Sequence, residues 1–245
     1  MDRALFRTAW QTLANGYAGT PAIVPFRRDL CCYPAVGIRL ADPTGAMQPI
    51  DDFYAACPDA DAPAVMAAIR AVQPMQRAYL TVAEHSDETN EVYRALGCRY
   101  DSSECLMVYD LRDHVVVAPT QQVDILTVAD ITTGNTADPE AMLWLSHANV
   151  SSTAMTHVAV RDGPRVLARA RTLRLPDGTS YISMVFTSPQ ARRQGYGRDV
   201  MLALLNADAA AGVHTVVLMS SHMGIPLYRS LGFVSLCATH IYTLS

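Results

Sequence analysis

Apolar and polar residues alternate along this chain with two periods, and the switches between them predict its elements. Helical spacing predicts a helix over Arg3–Asn15, stopped by Gly16, and further helices over Ile50–Ala56, Ala62–Val72 and Asp87–Leu96. Extended segments are expected near Ala22–Phe26, at Ala35–Leu40 and Ala78–Val82, and over Cys98–Asp110, the last broken around Ser102-Ser103. A Val-rich stretch from His114 to Gln122, with Pro119 and paired glutamines, reads as a connection between two domains. Beyond it the pattern restarts. Strand Val123–Val128 leads to a helix around Pro139–Ala148, and strand Thr156–Val160 turns at Asp162-Gly163, a dipeptide that favours tight hairpins. Strand Val166–Leu175 turns at Pro176-Asp177-Gly178 into strand Tyr181–Thr187. Helix Arg193–Ala211 then places Val200, Met201, Leu204, Leu205 and Ala211 on one stripe, with Asp199 and Asn206 on the opposite, exposed face. Asp208 falls on the apolar stripe, which predicts either exposure at the fraying end or pairing with an arginine; Gly212 caps the helix. Strand His214–Met219, helix Gly224–Leu231 and strand Phe233–Leu244 complete a mixed α/β chain.

One short piece occurs twice. Val92-Tyr93-Arg94-Ala95-Leu96-Gly97-Cys98 is similar to Leu227-Tyr228-Arg229-Ser230-Leu231-Gly232-Phe233, and each follows a strand and precedes a long extended tail. The expected organisation is therefore two lobes of related topology: residues 1–112, a linker at 113–122, and residues 123–245.

Composition narrows the class. The chain has 245 residues, half of them apolar and only 17% charged, which excludes a disordered or solvating chain. A length in this range holds one large domain or two small ones, at roughly 100–200 residues per domain. Net charge is −4, so a general nucleic-acid binder is not expected. All 19 basic residues are arginine, and eight of them lie between Arg161 and Arg198 against two aspartates, Asp162 and Asp177. That local excess suits an anionic small molecule better than a polyanion. Cys31, Cys32, Cys57, Cys98, Cys105 and Cys237 form no C-x-x-C pair and have no histidine at metal-ligand spacing. No bound metal is expected, and the thiols read as small hydrophobes of a reduced, cytoplasmic protein. The N-terminus lacks the apolar run of a signal peptide, and no stretch is long and apolar enough to span a membrane.

The chemistry concentrates in Val185-Phe186-Thr187-Ser188-Pro189-Gln190-Ala191-Arg192-Arg193-Gln194-Gly195-Tyr196-Gly197, a strand, a loop and a helix start. Such a junction directs backbone N–H groups outward where the helix dipole adds positive potential, and glycines let a phosphate approach closely. It is not a Walker loop, because the Gly-Lys-Ser/Thr element is missing, nor a dinucleotide fingerprint, because the glycine spacing is wrong. It resembles motif A of the GNAT superfamily of N-acetyltransferases, Arg/Gln-x-x-Gly-x-Gly/Ala, here Arg192-Arg193-Gln194-Gly195-Tyr196-Gly197. About thirty residues later, Leu218 to Phe233 resembles the family's motif B: a strand, a loop, a short helix with Leu227-Tyr228, then Leu231-Gly232-Phe233. The resemblance covers about Val123 to Leu244.

What the resemblance implies is specific. The fold would be a central mixed, mostly antiparallel sheet flanked by helices. Val185, Phe186 and Thr187 would lie along the pantetheine arm of acetyl-CoA, and Arg192, Arg193, Gln194, Gly195, Tyr196 and Gly197 would hold its pyrophosphate. The activity would be transfer of the acetyl group to the amine of a small-molecule acceptor by direct attack. Tyr228 would be the general acid, since a phenol with pKa of about 10 is protonated at neutral pH and can donate to the leaving sulfur. Acetylation of a protein or peptide, and a non-catalytic acyl-CoA-binding regulatory module, are the alternatives, and homodimer formation stays open. No base stands out among Glu140, His157, Asp162 and His222; a water relay through Ser220 or Ser221 is the working expectation. No Arg/Gln-x-x-Gly-x-Gly stretch precedes Tyr93, so the first half reads as a degenerate copy in which Tyr93 is structural.

Overall fold

The computed structural model describes residues 3–18, 23–27, 35–40, 50–55, 61–71, 78–130 and 151–244. In chain order these hold α1 (Arg3–Ala18), β1 (Ile23–Arg27), β2 (Ala35–Leu40), β3 (Ile50–Ala55), α2 (Ala62–Ala71), β4 (Ala78–Ala83), α3 (Thr89–Ala95) and β5 (Arg99–Asp110). There follow β6 (Asp124–Ile125), β7 (Met155–Asp162), β8 (Arg165–Arg174), β9 (Thr179–Thr187), a 3-10 turn (Pro189–Ala191), α4 (Tyr196–Ala210), β10 (Thr215–Ser220), α5 (Ile225–Ser230) and β11 (Val234–Leu244). The helix expected at Pro139–Ala148 lies outside the described residues, as do Glu140, Cys31, Cys32 and Cys57.

Contacts divide the chain into two compact units, each mixed α/β. The first is Met1–Met107 with Met219–Ile225 and Ser235–Ser245; the second is Val108–Leu218 with Pro226–Val234. The division expected at 113–122 follows chain order, whereas the compact units exchange segments late in the chain.

In the first unit the strand order is β1-β2-β3-β4-β11-β5. β3 and β4 pair parallel, and β4 and β11 antiparallel. The core gathers Phe53, Val65, Met66, Ile69, Leu80, Val82, Tyr93 and Tyr242. Residues 50–55 are a strand, not the helix the sequence suggested. Flanked by β2 and β4, the segment gains ladder hydrogen bonds on both edges and buries Phe53 and Ala55, which outweighs a weak local preference. Helix α1 runs through Gly16 instead of ending there, and β5 passes unbroken through Ser102-Ser103.

In the second unit the order is β10-β9-β8-β7-β6, with β9 and β10 parallel and the other pairs antiparallel. Helix α4 packs across β7, β8 and β9. The first strand of this unit shrinks to Asp124–Ile125, because Thr127 turns to give its N–H and hydroxyl to the Asp130 carboxylate at 2.7 and 2.8 Å. Asp208 is fully buried, so the exposed option for it is wrong and the paired option holds. Its carboxylate accepts from Thr172 Oγ1 at 2.8 Å, Ser180 Oγ at 2.7 Å and Arg174 Nε at 2.8 Å. Burial pushes this carboxyl up even against those three donors. Asp199 and Asn206 are not on a solvent face either. Asp199 is 1% exposed and accepts the Thr120 N–H and hydroxyl at 2.8 and 2.9 Å. Asn206 donates to the Val117 carbonyl at 2.9 Å and pairs with His114 Nε2 at 3.0 Å. The stretch read as a connection between two domains is held along α4 through His114, Val117 and Thr120.

Candidate active site

The β9–α4 junction is built by where two strands stop pairing. β9 and β10 run in parallel register from Thr179↔Thr215 to Ile182↔Leu218, and β9 then continues alone on that edge to Thr187. Its other edge stays on β8, with Arg169↔Phe186 and Ala168↔Thr187. Val185, Phe186 and Thr187 are half-buried and keep an edge without a β10 ladder partner. Between Arg171↔Ser183 and Arg169↔Phe186 the register shifts, and Met184 sits at φ +57°, a left-handed bulge at a non-glycine residue. Arg169, 6% exposed, clasps this bulge: one guanidinium N–H donates to the Met184 carbonyl, and the group lies 5.4 Å above the Phe186 ring. Burial, followed by the neighbouring Arg171, brings Arg169 down to about 10. The sequence did not single out Arg169 or Met184; their only signal was the arginine-rich stretch as a whole.

After Thr187 the chain makes a 3-10 turn with Pro189 at its start, and Ala191 is buried beneath it. Helix α4 starts at Tyr196, three residues later than expected, because Arg193 at φ +66° and Gly195 at φ +89° hold the loop in left-handed backbone. Gly195 is the N-cap with no side-chain capping bond, so the first-turn N–H groups meet no side chain of that residue. A Cβ built on Gly195 would face open space. Arg192, Arg193 and Gln194 are exposed; Arg192 Nε donates to the Thr187 carbonyl at 3.3 Å and Gln194 Nε2 to the Gln190 carbonyl at 3.1 Å. The two glycines thus do different work. At Gly197 a Cβ would meet Thr187 Oγ1 at 2.9 Å and Leu227 Cδ2 at 3.5 Å. Gly197 lets the strand end, the helix start and α5 approach one another, while Gly195 keeps the loop surface bare.

Tyr228 sits on α5 and is 6% exposed. The helix ends in a Schellman cap: Phe233 N–H donates to the Tyr228 carbonyl and Gly232 N–H to the Arg229 carbonyl, both at 3.0 Å, with Gly232 at φ +99°. The ring contact that accompanies such caps is Tyr228 edge-on to Phe233, centroids 5.8 Å apart. A Cβ on Gly232 would strike the Tyr109 ring at 2.8 Å. The similar piece ending α3 has the same cap, Cys98 N–H to Tyr93 and Gly97 N–H to Arg94, both at 3.0 Å. Tyr93 is 1% exposed and stacks on Tyr242 at 5.4 Å.

The base candidates fall in different settings. His157 on β7 is 5% exposed, its Nε2 has no hydrogen-bond partner among the described residues, and burial, then Arg171 and Arg169, bring it down to about 4. Asp162 is exposed at the end of β7. His222 is exposed, with Nε2 3.1 Å from Ser103 Oγ. Ser220 is buried and its hydroxyl donates to the Ser221 carbonyl at 2.8 Å. Among the described residues no group of three His, Cys, Asp or Glu side chains could hold a metal ion. No described helix is long and apolar enough to cross a membrane.

Residues 124–233 match the model of the acetyltransferase (GNAT) family. A UPF0039 protein of Schizosaccharomyces pombe is 35% identical over 80 residues, 31% of this chain and 53% of that protein. The chain thus matches about half the length of that relative. Among solved structures, a GCN5-related N-acetyltransferase from Kribbella flavida superposes with TM-score 0.66 at 18% identity, covering 97% of this chain and 94% of that one. A GCN5-related N-acetyltransferase from Sphaerobacter thermophilus gives 0.59 at 14% identity, covering 86% and 76%. These likenesses establish the fold.

Proposed function

We propose that the protein moves the acetyl group of acetyl-CoA to the amine of a small molecule by direct attack, with Tyr228 as general acid. The observation that carries this reading is the loop Arg192–Gly197. A bare left-handed Gly195 caps α4 beside two exposed arginines, next to a β9 edge that has no β10 partner. An anionic pyrophosphate suits the first, through N–H groups and the helix dipole, and an extended amide-bearing arm suits the second. Acetyl-CoA supplies the activated thioester; the residues of this chain bind it, orient it and move a proton. Val185, Phe186 and Thr187 would take the arm, and Arg192 to Gly197 the phosphates. The Tyr228 hydroxyl would give its proton to the leaving sulfur. The shared cap at Tyr93 and the absence of a phosphate loop before it support reading residues 1–112 as a degenerate half, joined at 113–122 to the half that carries the site.

Thermal melting tests the binding claim. Acetyl-CoA at 100 times its Kd should add about 2.7 kcal/mol of stability, and Tm should rise accordingly. Gly195→Trp should abolish the rise, because the side chain would fill the open face that the phosphates need. No rise with the wild-type protein at millimolar acetyl-CoA would remove the reading. Free-thiol release with a mixed panel of small amines, set against peptides, then separates a small-molecule enzyme from a peptide acetyltransferase.

A further inference from the structure

Strand β11 lies between β4 and β5, so segments far apart in sequence become neighbours in the first unit. Side-chain contacts set the register of β5 and β11. Arg99 Nε donates to Thr243 Oγ1 at 3.1 Å, and the Thr243 hydroxyl lies 3.3 Å from the Arg99 carbonyl. Tyr100 meets Tyr242 edge-on at 6.0 Å, and Thr239 Oγ1 donates to the Glu104 carbonyl at 3.2 Å. Arg99–Thr243 and Tyr100–Tyr242 step in opposite directions along the two strands, so the pair is antiparallel, and the Thr239 hydroxyl reaches the carbonyl one residue past Ser103, its partner in that register. Continued along the strands, this register sets Cys105 opposite Cys237 with both side chains on one face. Residues opposite in an antiparallel pair have Cα atoms about 4.5 or 5.5 Å apart, inside the range of about 4.4–6.8 Å that a disulfide spans. Both thiols are free and half-buried, and Cys105 Sγ lies 3.7 Å from the Leu106 carbonyl. Cys98, by contrast, is closed in the core with its sulfur 3.6 Å from Met66 Sδ.

We propose that Cys105 and Cys237 form a reversible modification site, at which a hydroperoxide joins them in a disulfide that clasps the C-terminal strand to β5. The Cys105 sulfur attacks one peroxide oxygen, the O–O bond breaks, and a sulfenic acid and one water result when the oxidant is hydrogen peroxide. The Cys237 sulfur then displaces the sulfenic oxygen, which leaves as a second water with the Cys237 proton. Two thiols are oxidised by two electrons and the peroxide is reduced by two. Burial, with Cys105 and Glu84 nearby, pushes the Cys237 thiol up to about 12, which makes Cys105 the sulfur that reacts first. A thiol reductant such as dithiothreitol reopens the bridge by exchange.

The test treats the full-length protein with hydrogen peroxide, alkylates the remaining thiols under denaturing conditions, and maps peptides by mass spectrometry. The expected product is a Cys105–Cys237 linked peptide, lighter than its two parents by two hydrogens and split by dithiothreitol. Because the link closes a loop of roughly 130 residues, Tm should rise by roughly 5–15 °C on oxidation. Cys105→Ser and Cys237→Ser should each lose both the linked peptide and the rise, while keeping the Tm of the reduced wild type within about 3 °C. The proposal is overturned if both cysteines remain alkylatable, if either links to another cysteine, or if Cys105 passes to sulfinic acid without a bridge.

Discussion

Tyr228 combines a ring and a hydroxyl whose work can be separated. The ring closes the α5 cap against Phe233, and a phenylalanine keeps that contact. Tyr228→Phe should therefore leave Tm and acetyl-CoA affinity nearly unchanged, while kcat and kcat/KM fall together by about 10²–10⁴, the usual worth of a positioned acid. Tyr93→Phe, in the core of the first unit, should leave turnover alone. A Tyr228→Phe protein with wild-type kcat would assign the tyrosine to packing. His157 carries a different expectation. Its folded-state pKa, about 4, lies below the ordinary 6.5, so between these values the unfolded chain binds a proton that the folded protein does not. Stability through this residue is thus full above pH 6.5 and falls as pH drops towards 4, by about 3 kcal/mol. His157→Gln should flatten the pH dependence of Tm across that window; an unchanged slope would show that other groups set it.

At the scale of elements, α4 is held from two sides. Its sheet side packs on β7, β8 and β9, and its other side receives the strap through Thr120, Val117 and His114. The strap exposes Val115 and Val116 while anchoring its backbone, so polar contacts hold it. Asp199→Asn removes one of two carboxylate oxygens, each of which takes a hydrogen bond from Thr120. That should cost about 1–3 kcal/mol, lower Tm by roughly 3–10 °C, and speed proteolysis within 113–122. Equal proteolysis of variant and wild type would mean that the strap is held by something else. Asp199 reads as an exposed residue on a helical wheel because a wheel knows only the helix, and the strap arrives from eighty residues earlier.

For the whole molecule, the exchange of late segments sets what a truncation can do. β11 pairs with β4 from Ala78↔Leu244 to Ala83↔Thr239. A fragment beginning at Ala118 keeps the Arg192–Gly197 loop but strips both neighbours from β11, leaving an unpaired strand with apolar side chains. It should be poorly soluble, eluting as aggregate in size-exclusion chromatography where the full chain does not. A monomeric fragment with full turnover would show that the first half contributes nothing to the site.

Sequence alone was enough for the local devices, because their causes are local. Gly212 after the helical stripe and the turns at Gly163 and Gly178 are written in residues that tolerate left-handed backbone, and all three have positive φ. The order of strand, loop and helix from Val185 to Gly197 follows from the same signals, and so did the resemblance of its motifs. Tertiary structure decided whatever depends on a partner distant along the chain. Ile50–Ala55 became a strand because β2 and β4 flank it, and Asp208 could be buried because Thr172, Arg174 and Ser180 converge on it. Gly197 is close-packed by Thr187 and Leu227. Met184 bulges where Arg169 can clasp its carbonyl, and β11 leaves the half that encodes it to pair with β4. Periodicity reports which face of an element is apolar; only the folded chain determines what covers that face.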